Sequence, residues 1–160
     1  MLYSRKRTYQ NRYNKRATTL LSYLLEKTSY TLWIKEHVEE IFELATKLIK
    51  SGADVNVSVA INNVGPTITI NPLAFGATYN NYDFVKMLIQ KGANVNVQDN
   101  LGYTPLMRCF TNGANKEIAN LLIKNGADVN LKNCDGFTVF DMAKNFKAEN
   151  ILTQTKEFLN

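Results

Sequence analysis

Apolar residues three and four apart mark several short helices in this chain, and turn-forming residues punctuate them. Ile118, Leu121 and Leu122 place a stripe on one side of a helix that Gly126 ends in a left-handed conformation, with Lys124 complementing the negative end of its dipole. Ahead of it, Thr104 is placed to cap a shorter helix, and Pro105 takes the first helical position, where its missing N–H costs nothing. Nearer the N-terminus, Leu20, Leu21, Leu24 and Leu25 predict another helix, with Thr18 or Thr19 as its cap. Ile34, Val38, Ile41, Phe42, Leu44, Ala45, Leu48 and Ile49 predict a further one over Thr31 to Lys50. Between them and the next helix the period changes to two. Val57, Val59 and Ile61, then Thr67 to Ile70, read as two short strands joined by turns at Asn62-Asn63 and Gly65-Pro66. After Ala143, Phe146, Ile151, Leu152, Phe158 and Leu159 among polar residues predict a final capping helix.

One segment is a repeat unit. Asp99 to Asn130 carries Gly102, Thr104, Pro105 and Leu106, then Glu117-Ile118, Leu121-Leu122 and the close Gly126-Ala127-Asp128-Val129-Asn130. The close recurs as Gly52-Ala53-Asp54-Val55-Asn56 and as Gly92-Ala93-Asn94-Val95-Asn96. With so many identities at fixed offsets, the segment resembles one complete ankyrin repeat, and the rest of the chain resembles less perfect copies. Gly92 and Gly126 stand 34 residues apart, near the family period of about 33. Gly52 and Gly92 stand 40 apart, and the extra residues fall before Pro72. Asp135-Gly136-Phe137-Thr138-Val139-Phe140-Asp141-Met142-Ala143 resembles the form common in terminal repeats.

The resemblance implies an all-α solenoid of about four helix–turn–helix repeats with β-turn fingers, one finger elongated over 57–70. On this reading residues 1–16 are a basic, disordered tail and 17–160 the repeat domain. Within it, 17–56 is a degenerate N-terminal cap repeat, 57–96 the second repeat, 97–130 the third and 131–160 the C-terminal cap. Several residues depart from the family pattern. Met107 stands where histidine is usual, and one extra residue lies within Gly113 to Lys116. Asn71 replaces a threonine but can still cap, and Lys47 replaces a leucine, as suits the wetter face of a terminal repeat. Gly76 replaces a core alanine, which by propensity costs its helix roughly 1 kcal/mol. The 57–70 insertion reads either as a functional loop or as an addition without a role.

Charge changes the picture at one end. Arg5, Lys6, Arg7, Arg12, Lys15 and Arg16 precede the first acid, Glu26, and without them the formal +5 falls to −1. Tyr3, Tyr9 and Tyr13 are interleaved with these bases, a composition compatible with stacking on single-stranded nucleic acid. A nuclear-import signal or an acid-poor transit peptide fits it too, and the plainest reading is a disordered, solvated leader. No apolar run reaches the ~18 residues that cross a bilayer. Two cysteines without a framework suit a reducing, cytoplasmic compartment. Cys109 falls at a family alanine position and reads as a buried apolar residue, whereas Cys134 falls in an exposed turn. Twenty asparagines with abundant Lys, Ile and Tyr suit an AT-rich genome. Short ankyrin-repeat proteins of intracellular bacteria and large DNA viruses are similar in this respect, which raises a host-directed effector.

No catalytic frame is present. There is no paired carboxylate in a recognisable setting and no phosphate-binding glycine loop. His37 stands alone on a charged helical face, and the cysteines lie 25 residues apart, so neither a metal nor a cofactor is expected. The resemblance implies instead a monomeric, non-enzymatic module that binds a partner protein through its concave face. It maps that face to Thr78 and Tyr79 in the second repeat and to Gln98, Asn100, Leu101, Tyr103, Thr111 and Asn112 in the third. In the last repeat it maps to Lys132, Cys134, Asp135, Phe137, Asn145 and Phe146. Tyr79, Leu101, Tyr103 and Phe137 would make an apolar and aromatic patch there; alternatively Phe137 and Phe146 pack beneath the C-terminal cap. A nucleic-acid-associated adaptor using the basic tail is the other reading, and a scaffold piece of a longer chain a third.

Overall fold

The computed structural model describes the backbone of residues 2–27, 31–61, 68–113 and 115–145, and the side chains of 14–26, 37–60, 69–113 and 115–145. The chain divides into two compact units, residues 1–71 and residues 72–160.

In the first unit, α1 (Leu2–Lys27) packs against α2 (Thr31–Lys50). Ala17, Leu21 and Leu25 recur four apart and are buried on α1, facing a core that includes Ile41, Phe42, Ala45 and Ile49 of α2. Leu21 and Leu25 are fully buried, worth roughly 1.5–3 kcal/mol each. The helix does not stop at the charged segment. Residues 2–27 contain neither glycine nor proline, so once the packed part forms, propagation through arginine, lysine, leucine and glutamine costs little. The described residues of the 1–16 segment, expected as a disordered tail, are the first turns of α1. Thr18 and Thr19 are likewise not caps. They sit mid-helix, donating their hydroxyls to the carbonyls of Asn14 and Lys15 at 2.9 Å. Lys47 is exposed, as its replacement of leucine suggested, and pairs at 2.6 Å with Glu43, whose carboxyl that hydrogen bond holds below its usual range. His37, expected on a solvated face, is half-buried.

The period-two stretch does form strands. β1 (Val59–Ile61) and β2 (Ile68–Ile70) pair antiparallel, Val59 opposite Ile70 and Ile61 opposite Ile68. β1 packs on α1, and the first unit accordingly takes in the hairpin as far as Asn71. The turn residues Asn62, Asn63, Gly65 and Pro66 lie outside the described residues, as do Ala114, Phe146 and the expected capping helix beyond it.

The second unit is built from short helices: α3 (Pro72–Thr78), α4 (Tyr82–Gln90), α5 (Pro105–Arg108), α6 (Lys116–Lys124) and α7 (Val139–Asn145). α5 packs between α3 and α7 while α4 packs on α6, so the first helices of successive repeats form one row and the second helices another. At four of these helices a capping side chain sets the start. Thr104 accepts from the Met107 N–H at 3.2 Å, Asn81 from Phe84 at 2.9 Å and Asn115 from Ile118 at 3.0 Å. At α7, Thr138 and Asp141 bond reciprocally, and the Thr138 hydroxyl draws the Asp141 carboxyl below its ordinary range. Phe75, Val85, Leu88, Leu106, Met107, Phe110, Ile118 and Leu122 are almost wholly buried between the rows. Met107, at the family's histidine position, is a core residue. Cys109 is buried too, and its thiol is pushed up to about 12 by that burial.

Candidate functional site

The closing motifs explain themselves at the level of single hydrogen bonds. Asp54, Asn94 and Asp128 each accept from the N–H two residues on, shaping a turn at 2.8–3.0 Å. Asn96 then reaches the following repeat: its amide donates to the Gly126 carbonyl at 2.9 Å, and its carbonyl oxygen accepts from the Asp128 N–H at 2.7 Å. In the first unit α1 supplies a related contact, because the Thr18 hydroxyl accepts from the Asp54 N–H at 2.9 Å.

Two finger turns carry the candidate surface, and one buried side chain organises each. Asp99 accepts from the N–H groups of Leu101 and Tyr103, both at 2.9 Å. Asn133 does the same for Asp135 and Phe137 at 3.0 and 2.9 Å. Both are less than a tenth exposed. The fingers are also tied to each other. Gln98 donates to the Gly102 and Lys132 carbonyls at 2.8 and 2.9 Å, and the Cys134 N–H donates to the Leu101 carbonyl at 2.9 Å. This approach requires glycine at 102. Its φ is +77°, and a Cβ there would lie 2.7 Å from the Asn133 Cα.

A second tier braces the first finger from α5. Arg108 forms an ion pair with the other oxygen of Asp99, and its guanidinium carbon lies 4.5 Å from the centroid of the Tyr103 ring. One face of Tyr103 is therefore occupied within the protein, a cation–π contact beside a buried carboxylate.

The residues mapped to the binding face fall into two groups. Gln98, Asn100, Leu101, Lys132 and Cys134 come together at the joined fingers, where the Cys134 thiol also lies 3.7 Å from the Asn100 carbonyl. Asn100, Lys132, Cys134, Asp135 and Phe137 are exposed, Phe137 by 44%, whereas Leu101 and Tyr103 are half-buried. Phe137 is thus not packed away, against the alternative of burial under a cap. The other group lies at the helix ends. Asn80, in the left-handed region at φ 58°, donates to the Asn112 carbonyl at 3.1 Å. Thr78 and Thr111 turn their hydroxyls back onto α3 and α5, and the Tyr79 ring meets Phe75 at 4.8 Å. That half-burial raises the Tyr79 phenol above its usual value. Asn145 is exposed at the end of α7.

The basic candidates occupy α1 in the other unit. Lys15 and Arg16 are exposed, and Arg5, Lys6, Arg7 and Arg12 belong to its earlier turns. Among the described residues no group of three or more His, Cys, Asp or Glu could hold a metal ion, and no helix is long and apolar enough to cross a membrane.

The sequence pattern assigned no bonding role to Asp99, Asn133, Asn96 or Arg108. A signal for the first two existed: an Asx residue stands three before glycine at 99–102 and again at 133–136, with the same 34-residue offset.

Paired short helices, capped by Thr or Asn and joined by hydrogen-bonded finger turns, define an all-α repeat protein of the ankyrin class. Ankyrin repeats in three copies match residues 36–133, and the chain belongs to that family. A fowlpox virus (strain NVSL) protein, FPV230, named for its ankyrin repeats, is 29% identical over 86 residues, 54% of this chain and 42% of that protein. The match thus spans about two fifths of the relative's length.

Proposed function

We propose that this protein is a non-enzymatic interaction module that holds a partner protein on the joined fingers of its second unit. Ankyrin repeats in general serve protein–protein interaction, and the supporting observation here is the fixed pair of tips. Their backbones are hydrogen-bonded to each other, while Phe137, Lys132 and Asn100 remain at the surface. A rigid platform with an exposed aromatic loses little entropy on binding and offers an anchor of the kind that dominates interfaces. In the host-directed form of this reading the partner is a host protein, in keeping with a viral relative.

Capture of proteins from cell lysate by the full chain, followed by identification of the retained partner, tests this. Phe137→Ala with Lys132→Ala should cut capture at least tenfold without altering the melting temperature, while Lys124→Ala on the exposed side of α6 should retain it. Undiminished capture by the finger variant would remove the fingers from the interface.

A second reading, a nucleic-acid-associated adaptor, draws support from the exposure of Lys15 and Arg16 on α1 while Ala17, Leu21 and Leu25 are buried.

A further inference from the structure

Along α1, positions 5, 9, 12, 16, 20 and 23 recur three and four apart and so share one side of the helix. They are Arg5, Tyr9, Arg12, Arg16, Leu20 and Tyr23. Ala17, Leu21 and Leu25 lie on the opposite side and pack into the core with α2. The part of this track whose side chains are described is open to solvent: Arg16 is exposed, Leu20 by 56% and Tyr23 by 59%. Beside it Lys15, Arg16, Thr19 and Leu20 line a surface hollow of about 670 Å³. No acidic residue precedes Glu26, so nothing on the track offsets its charge.

We propose that this side of α1 is a binding track for single-stranded nucleic acid, with Arg5, Arg12 and Arg16 on phosphates and Tyr9 and Tyr23 stacking on bases. The inference rests on the nucleic-acid reading above and specifies its form and its side of the helix. Arginine contacts alone would serve a duplex as well as a strand. Tyrosines interleaved at the same register favour the strand, because only unpaired bases offer their faces for stacking. A membrane surface fits less well, since an interfacial helix needs a free apolar face and here the leucine-rich face is already buried.

Fluorescence anisotropy of the full chain with a labelled oligothymidylate, and with a duplex of equal length, decides the matter across about 50 to 200 mM salt. Two double variants remove equal charge while keeping helix propensity: Arg12→Gln with Arg16→Gln on the track, and Lys86→Gln with Lys124→Gln, exposed on α4 and α6 and off it. The track variant should lose at least about tenfold in affinity at low salt, and its slope of log affinity against log salt should fall by about 1.4, two lost phosphate contacts at roughly 0.7 each. The off-track variant should lose less than about threefold. Tyr23→Ala should weaken binding roughly fivefold or more without changing the slope. Equal losses from both charge pairs, or preference for the duplex, would overturn the track and leave the adaptor reading standing. If no oligonucleotide binds at any salt, and only anionic vesicles or polyglutamate are retained, both fall.

Discussion

At the scale of single residues, two glycines separate propensity from packing. Gly76 lies within α3, and helix propensity alone says that alanine there should gain roughly 1 kcal/mol. Its surroundings say otherwise. A Cβ at 76 would sit 2.9 Å from Val85 Cγ2 and 3.0 Å from Phe84 Cδ1, and both side chains are buried. Overpacking of this kind costs about 1–3 kcal/mol, enough to cancel the propensity gain. Gly76→Ala should therefore leave the urea midpoint unchanged or lower it, and a clear rise would show that α4 yields more easily than its burial suggests. Gly102→Ala should be worse, because the added carbon meets backbone, which cannot rotate away, and φ is positive. The left-handed conformation alone costs a non-glycine residue about 1–3 kcal/mol.

Among elements, the finger turn shows what the sequence made legible and what it did not. The helix pairs were readable because their signals are local: Thr104 before Pro105, Ile118 with Leu121 and Leu122, Gly126 after them. Asp99 and Arg108 were not, since their partnership spans nine residues and depends on a turn bringing them together. The structure also separates the two duties of the Asp99 carboxylate, one oxygen for the turn and one for Arg108. Asp99→Asn should keep the turn and lose only the ion pair. Asp99→Ala should lose both, destabilising by about 1–3 kcal/mol more than Asp99→Asn in urea titration, because the two amide donors of the turn then lose their acceptor as well. Equal effects from the two substitutions would assign the stability to the ion pair instead. The helical state of 2–16 was hidden for a different reason. Charge and the lack of an apolar stripe argued for a solvated leader, whereas continuity with the buried part of α1 decides the backbone.

For the whole molecule, that continuity makes truncation a blunt tool. A chain starting at Ala17 would lose not only six basic residues but also Asn14, whose side chain fills the space beside Gly52, and the first half of a helix on which the first unit is built. Its melting temperature should drop by several degrees relative to the full chain, whereas the paired Arg→Gln substitutions should leave it unchanged. Equal melting of the truncated and full chains would mean that the early turns of α1 add nothing to the fold. Charge substitution is accordingly the cleaner way to separate nucleic-acid capture from protein capture.

The joined fingers have a bearing on how such a protein changes over time. Residues that hold the tips in place, Asp99, Gly102 and Asn133, are buried, while Asn100, Lys132, Asp135 and Phe137 beside them are exposed. Surface substitutions away from special contacts usually alter stability by no more than about 0.5 kcal/mol. If the tips hold the partner as proposed, they can be rewritten for a new one with little penalty to the scaffold, and the spacing at which they are presented stays the same. On the proposed reading, selection acting on recognition and selection acting on folding fall here on different residues, four apart or fewer.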